Sequence, residues 1–296
     1  MKIVYSPKYE VDLGVHPFST KIYRLIKQKL EQTFLGLVFV EPQKVVLEYL
    51  YEVHTRSYVE KVLNLKLSYE EILKLEIPLT PQIVEASLIS VAGTILAAEI
   101  ALQQKVGIHI GGGYHHAYPE HGEGFCVFND IAVAIKYLKK TYKIKKVAVV
   151  DCDVHQGNGT AKIFQDDKDV FTFSIHQKEI YPEPKEKSTL DIEVYAGTTD
   201  EKYLSLLEEG LKKVKNFSAE VVFYQAGVDI YENDQLGGLK ITKEGIKKRD
   251  ELVKKFFKDT PVVVTLGGGY AFDINDTVEL HYNTIKTFIV GELYKI

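Results

Sequence analysis

Asp151, Asp153 and His155 occupy alternate positions where the apolar run KKVAVV ends. Side chains two apart in an extended chain share a face, so these three can converge on one point. Carboxylates and an imidazole suit a borderline divalent ion, and hydrolytic zinc sites hold three protein ligands plus water. Asp229, in AGVDIYENDQLGGL at 226–239, can supply the third ligand beside two of them. Taken alone, Asp-x-Asp-x-His reads equally well as a capped strand–helix turn whose carboxylates accept backbone N–H bonds.

A second cluster shifts that balance. His115-His116 follows GGGY, where glycines permit close backbone approach. Adjacent imidazoles are awkward in a core, because each needs a polar partner when buried. Beside a metal motif they read as acid–base machinery. Asp151 could orient one ring through a carboxylate–imidazole bond, and Asn158 could hold the other without adding charge. Such an arrangement would separate the two rings in basicity.

Four motifs therefore need positioning, and each directly follows an apolar β run. GGGYHHAYPEHGEGFCVFND at 111–130 follows VGIHI, and DCDVHQGNGT at 151–160 follows KKVAVV. AGVDIYENDQLGGL follows EVVFYQ, and GGGY at 267–270 follows PVVVTL. Ligand sites in open α/β sheets are built at that carboxyl edge. Strands are predicted at 2–5, 106–110, 146–150, 170–174, 220–225 and 261–266. Helices are predicted at roughly 19–34, 82–104, 127–141, 200–216, 242–258 and 272–291. Continuous Val/Ile runs alternating with helical segments predict a doubly wound, mostly parallel α/β sheet flanked by helices. Residues 36–80 read as an elaboration beside the site, with a helix near 56–64, and 176–189 as a loop marked by Pro182 and Pro184. No repeat or linker divides the 296 residues, so one domain over 1–296 is expected.

The net charge of −4 gives no basic footprint for nucleic acid. Two cysteines, Cys126 and Cys152, cannot form a disulfide framework and fit a reducing compartment. The first residues lack an apolar signal-type stretch, and no later run is read as a membrane span. The expectation is a cytoplasmic protein, monomeric or a small oligomer. His16, His54, His109, His121 and His281 need no metal. Of these, His109 reads as a hydrogen-bonded strand residue, and His121, in the loop after the pair, as a solvent-facing residue sooner than a substrate contact. Cys152 should point away from the site aspartates into packing.

With these residues in hand, the chain resembles the histone deacetylase superfamily over nearly its whole length. GGGYHHAYPEHGEGFCVFND, DCDVHQGNGT and GGGY closely match its signature blocks. HPF at 16–18 and HTRSYVE at 54–60 fit as well, and AGVDIYENDQLGGLKITKEGIKKRDELV resembles the class IV branch. The resemblance implies the arginase/deacetylase fold and zinc held by Asp153, His155 and Asp229, though Asp₂His sites also accept Fe²⁺ or Co²⁺. It implies His115 and His116 as the acid–base pair, with His116 the base, His115 paired to Asp151 and His116 to Asn158. Class I enzymes carry Asp at the last position, so Asn here should alter the basicity of His116. Tyr270 would donate to the polarised carbonyl. Gly124 and Phe125 would line an acyl-lysine tunnel, with Tyr181 on the opposite wall. Structural K⁺ is implied at Asp151, Asp153, His155, Ser174 and Ile175, and a second K⁺ near Phe164, Asp167 and Val170.

The activity implied is hydrolysis of an acyl group, acetyl or longer fatty acyl, from lysine side chains of proteins or peptides. Small acetylated metabolites such as polyamines are the alternative substrates. A two-metal ureohydrolase would need further carboxylates where Gly157 and Tyr231 stand. A reader without chemistry would not need every catalytic position filled.

Overall fold

The computed structural model describes residues 1–43 and 45–289. Its frame is an eight-stranded sheet in which every pairing is parallel. The strands are β1 (Lys2–Val4), β2 (Val38–Val40), β3 (Val106–His109), β4 (Val147–Asp151), β5 (Val170–Gln177), β6 (Leu190–Val194), β7 (Val221–Gln225) and β8 (Val262–Thr265). Their order is β2-β1-β3-β8-β7-β4-β5-β6. The four motif-bearing strands, β3, β8, β7 and β4, are thus contiguous at the centre. Motifs as far apart in the chain as 111–130 and 267–270 therefore leave the sheet side by side.

Alternation along each central strand feeds two separate cores. Ala148, Val150, Val222 and Tyr224 face one side, with α1 (Lys21–Thr33), α8 (Asp200–Phe217), α9 (Lys243–Phe256) and α10 (Ile274–Ile289). Val147, Val149, Val221 and Phe223 face the other, with α5 (Pro81–Gln104) and α6 (Asp130–Thr141). That side also holds the short helices α2 (Leu47–Leu50), α3 (Arg56–Leu63) and α4 (Tyr69–Leu75), while α7 (Asn158–Phe164) follows β4. Both sheet faces are covered, which is why these strands read as unbroken apolar runs.

Helix starts follow local chemistry. Thr242 caps α9 by accepting from Gly245 N at 3.0 Å. Asp200, the first residue of α8, accepts from Thr242 N and Oγ1 at 2.8 and 2.6 Å, so the two helix starts are tied together. Asn129 caps α6 through Ala132 N, which moves the start of that helix from the predicted 127 to Asp130.

Some expectations needed correction. β2 and β6 are strands that the apolar pattern did not mark, because they are short sheet edges with partly exposed side chains. β5 continues to Gln177, two residues into the predicted loop. α5 is long and apolar enough to span a bilayer by length and composition, against the expectation that no run is. Here it is a core helix, with Leu88, Val91, Ala97 and Ala101 buried. Positions 290–291 of the last predicted helix lie outside the described residues.

Candidate active site

Asp153, His155 and Asp229 meet just beyond the ends of β4 and β7. Their ligand atoms all lie within 4.8 Å of one another, and all three residues are buried. His155 Nδ1 stands 3.2 Å from both Asp153 Oδ1 and Asp229 Oδ2. Glycine makes this packing possible. A Cβ at Gly268 would collide with Asp229 Oδ2, and one at Gly227 with Asp153 Oδ2. Gly268 N instead donates to Asp153 Oδ2 at 2.9 Å.

Two buried carboxylates beside one imidazole demand positive charge. Burial raises the Asp229 carboxyl above its ordinary range, and neighbouring Asp153 raises it further. Burial opposes a charged His155, yet hydrogen bonds and charge from Asp153 and Asp229 outweigh it and hold the ring up at about 10. Two carboxylates and an imidazole converging in one buried cluster form a donor set that suits a divalent ion. Among the described residues this is the cluster of His, Cys, Asp and Glu side chains able to hold a metal ion.

The tandem histidines stand beside it with their ring centroids 4.0 Å apart. His115 Nδ1 is 2.7 Å from Asp151 Oδ2, whereas His116 Nδ1 is 2.7 Å from Asn158 Oδ1. The consequence is electrostatic. Burial disfavours charge on His115, but Asp151 and Asp153 overcome it and raise the ring to about 9. His116 is pushed well below its ordinary value by burial, then by the charges of His115 and His155. One ring is set up to be cationic at neutral pH and the other neutral.

Above these groups opens a cavity of about 230 Å³, lined by His116, His155, Gly124, Phe125, Tyr181 and Tyr270, with Glu76, Ile180 and Leu236 also on its wall. Phe125 adopts a left-handed backbone, φ +70°, directly after Gly124 at φ +52°. A non-glycine residue held there costs about 1–3 kcal/mol and persists only where its surroundings impose it. Those surroundings are the stacked Phe18 ring at 6.2 Å and the His16 ring edge-on at 4.7 Å. Tyr181 packs edge-on against His116 at 4.9 Å. Burial, then the charges of Asp153 and Asp229, keep the Tyr270 hydroxyl well above its ordinary pKa, so it stays a donor. At its foot a narrower space of about 30 Å³ runs from Asp153, His155 and His116 to Tyr23 and Tyr114.

Several supporting groups were given no role by the sequence, although Asp234, Asp130, Glu123 and His54 lie within its motifs. Asp234 accepts from Tyr270 N at 2.7 Å and from Leu236 N at 2.8 Å, fixing the backbone under Tyr270. Asp130 accepts from Gly113 N and Tyr114 N, and Gln225 donates to Gly113 O, holding the turn that precedes the histidines. His54 bridges Tyr118 O and Asn129 N across the same loop. Glu123 accepts from Asn158 Nδ2 and Tyr181 Oη. Only its place between His121 and Gly124 in the motif could have drawn notice.

The remaining histidines divide. His109 bonds Thr94 Oγ1 and Tyr9 Oη inside the sheet, as a strand residue should, and His121 turns to Glu123 and Lys74. Cys152 is fully buried in packing. Ser174 stands in register with Asp151 on β5, its Oγ 2.9 Å from His176 Nδ1, and Ile175 is buried beside it. At 164–170, Phe164 O and Asp167 O already accept backbone N–H groups. The Asp167 carboxylate faces Lys139 at 3.0 Å and Lys136 at 3.4 Å, so a second potassium there would share its surroundings with two ammonium groups.

Comparison with known proteins bears on this geometry. The chain is 36% identical over 287 residues to an uncharacterized protein of Picosynechococcus sp., covering 94% of this chain and 95% of that one. It is 35% identical over 288 residues to histone deacetylase 2 of Arabidopsis thaliana, covering 91% of this chain and 74% of the relative. The crystal structure of the HDA15 HD domain superposes with a TM-score of 0.80 at 23% identity, over 100% of this chain and 90% of that one, so the fold is shared. Residues 16–285 match the histone deacetylase domain. A parallel sheet presenting a buried Asp/His/Asp group beside two differently backed histidines is thus explained by descent: the chain belongs to the histone deacetylase family of hydrolases.

Proposed function

We propose that the chain is a zinc-dependent lysine deacylase of the class IV branch, cutting the side-chain amide of an acylated lysine in a protein or peptide. The observation that carries this reading is the contrast between the two rings at the foot of one cavity. His115 is backed by a carboxylate and His116 by an amide, 2.7 Å away in each case.

Asp153, His155 and Asp229 would hold the ion. Zinc bound there would polarise the scissile carbonyl and acidify the attacking water. His116, neutral, takes the proton from that water. His115, held cationic by Asp151, supplies positive potential beside the developing oxyanion, and the Tyr270 hydroxyl donates a hydrogen bond to it. The proton gathered on His116 then passes to the leaving lysine nitrogen, so the products are a free amine and a carboxylate. The Gly124 carbonyl accepts the amide N–H of the substrate, while Phe125 and Tyr181 pack on the lysine methylenes. Potassium at Asp151, Asp153, His155, Ser174 and Ile175 would hold the β4–β5 edge in place.

Cavity size supports a short acyl group. The space at the foot of the site is about 30 Å³ and is bounded by Tyr23 and Tyr114. A long fatty chain would have to displace Tyr23 or Tyr114. A two-metal ureohydrolase is disfavoured, because Gly157 brings no carboxylate to His155 and the Tyr231 hydroxyl binds Asp276.

The test compares release of acetyl, octanoyl and myristoyl groups from one lysine peptide, and of acetyl from an acetylated polyamine, with and without chelator. The expected outcome is acetyl-peptide hydrolysis that chelation removes and zinc restores, with rates falling as the chain lengthens. Chelator-resistant hydrolysis would contradict the reading of the metal, and faster myristoyl release the reading of the cavity.

A further inference from the structure

Glu123 is a buried carboxylate to which the reaction above gives no task. Its Oε1 accepts from Asn158 Nδ2 at 2.7 Å and from Tyr181 Oη at 2.6 Å. Its Oε2 lies 2.9 Å from His121 Nε2 and 3.4 Å from Lys74 Nζ. Burial raises its pKa, but the hydrogen bonds from His121, Tyr181 and Asn158 and the charge of Lys74 prevail and hold it at about 2. At neutral pH it is ionised, hence purely an acceptor.

That fixes the amide it touches. The oxygen and nitrogen of an asparagine side chain are nearly the same in shape, so its hydrogen-bond partners decide which way it faces. With a carboxylate on one side, only Nδ2 can turn toward Glu123. Oδ1 is then presented to His116 Nδ1 at 2.7 Å. An oxygen acceptor at that place requires Nδ1 to carry the proton. Nε2 is left with a free lone pair, the form a base needs.

We propose that Glu123 is a positioning residue for His116: it clamps the Asn158 amide and thereby selects the imidazole tautomer able to accept a proton from water. The proposal rests on the acyl-hydrolysis reading above and adds a group to it. His115 is kept protonated at Nδ1 by a shorter route, directly against Asp151. The acid–base pair is therefore supported by two carboxylates, one in contact and one acting through an amide.

The test uses protein labelled with ¹⁵N-histidine, metal-free and zinc-loaded, at neutral pH. Long-range ¹H–¹⁵N spectra separate a protonated ring nitrogen from one bearing a lone pair, and His116→Gln assigns the signal. In the unaltered protein His116 should be protonated at Nδ1. Glu123→Gln offers Asn158 either a donor or an acceptor, so a second population protonated at Nε2 should appear. On an acetyl-lysine peptide, kcat should fall in proportion to the fraction of His116 no longer protonated at Nδ1, with KM changed far less. Adding Asn158→Asp to Glu123→Gln should return the Nδ1–H signal, because a carboxylate accepts whichever way it is turned. Tyr181→Phe removes a different donor to Glu123 and should leave the His116 tautomer as it was.

A Glu123→Gln spectrum matching the unaltered protein would overturn the proposal whatever the activity did. So would a double variant that kept the mixed signal. If Glu123→Gln did not fold, Glu123→Ser, which also unclamps the amide, carries the same expectation. Tautomer exchange in a protein inactive on every acyl-lysine would support the role of Glu123 and count against the functional reading instead.

Discussion

The floor and the rim of the cavity are built on opposite plans. At the floor, His115, His116, Asp153 and Asp229 are each at most 5% exposed, and each polar group meets a partner brought from a distant part of the chain. At the rim, Val15 is fully exposed and Phe272 79% exposed, in the loops on either side of a groove of about 570 Å³. The floor is held by hydrogen bonds at the edge of a sheet covered on both faces. The rim is loop surface, where exposed Val15 and Phe272 stand among polar groups such as His16, Ser19 and Gln235. Chemistry should therefore be intolerant of change at the floor, and recognition tolerant of it at the rim.

The sharpest way to break this contrast is Tyr270→Phe. Removing the hydroxyl breaks none of the carboxylate pairs described above, so folding should be untouched. Losing one oxyanion donor costs on the order of 10²–10³ in turnover. Near-full kcat on an acetyl-lysine peptide would remove Tyr270 from the mechanism.

A smaller effect should separate the two regions by pH. In the folded protein His115 and His155 are raised to about 9 and about 10, so the stability they contribute is complete below the unfolded value near 6.5 and is lost as pH rises through the folded values. Metal-free protein should thus show a melting temperature that falls between roughly pH 6.5 and 10. Saturating zinc should flatten that fall by taking the proton's place on His155. Differential scanning fluorimetry with and without metal checks it, and the same slope in both would show that the floor does not govern stability. The smallest effect is expected at the rim. Phe272→Ser should shift stability by no more than about 0.5 kcal/mol, leave kcat alone and alter only KM for peptides.

The same division explains what could be read in the sequence. β3, β4, β7 and β8 were legible because strands buried on both faces must be unbroken apolar runs, and the polar motifs at their ends stand out against them. Asp153, His155 and Asp229 followed from that pattern and from strand geometry. β2 and β6 were not legible, since three-residue or half-exposed edges need no such runs. Glu123, Asp234 and Gln225 were illegible for a different reason. Their partners, Asn158, the Tyr270 amide and the Gly113 carbonyl, lie 35, 36 and 112 residues away. Nothing local marks a carboxylate whose task is to hold another element's backbone or amide. The apolar length of α5 shows the converse, a local signal whose meaning only packing decides.

The central claim is that one divalent ion, held by Asp153, His155 and Asp229, serves the tandem histidines. The most direct measurement is metal content by mass spectrometry on chelator-treated, zinc-reconstituted protein, alongside acetyl-lysine hydrolysis, for the unaltered chain and Asp229→Ala. The account predicts activity that saturates at one zinc per chain, with both zinc and activity lost in Asp229→Ala. Activity that needs two ions per chain, or that survives in Asp229→Ala without metal, would contradict it.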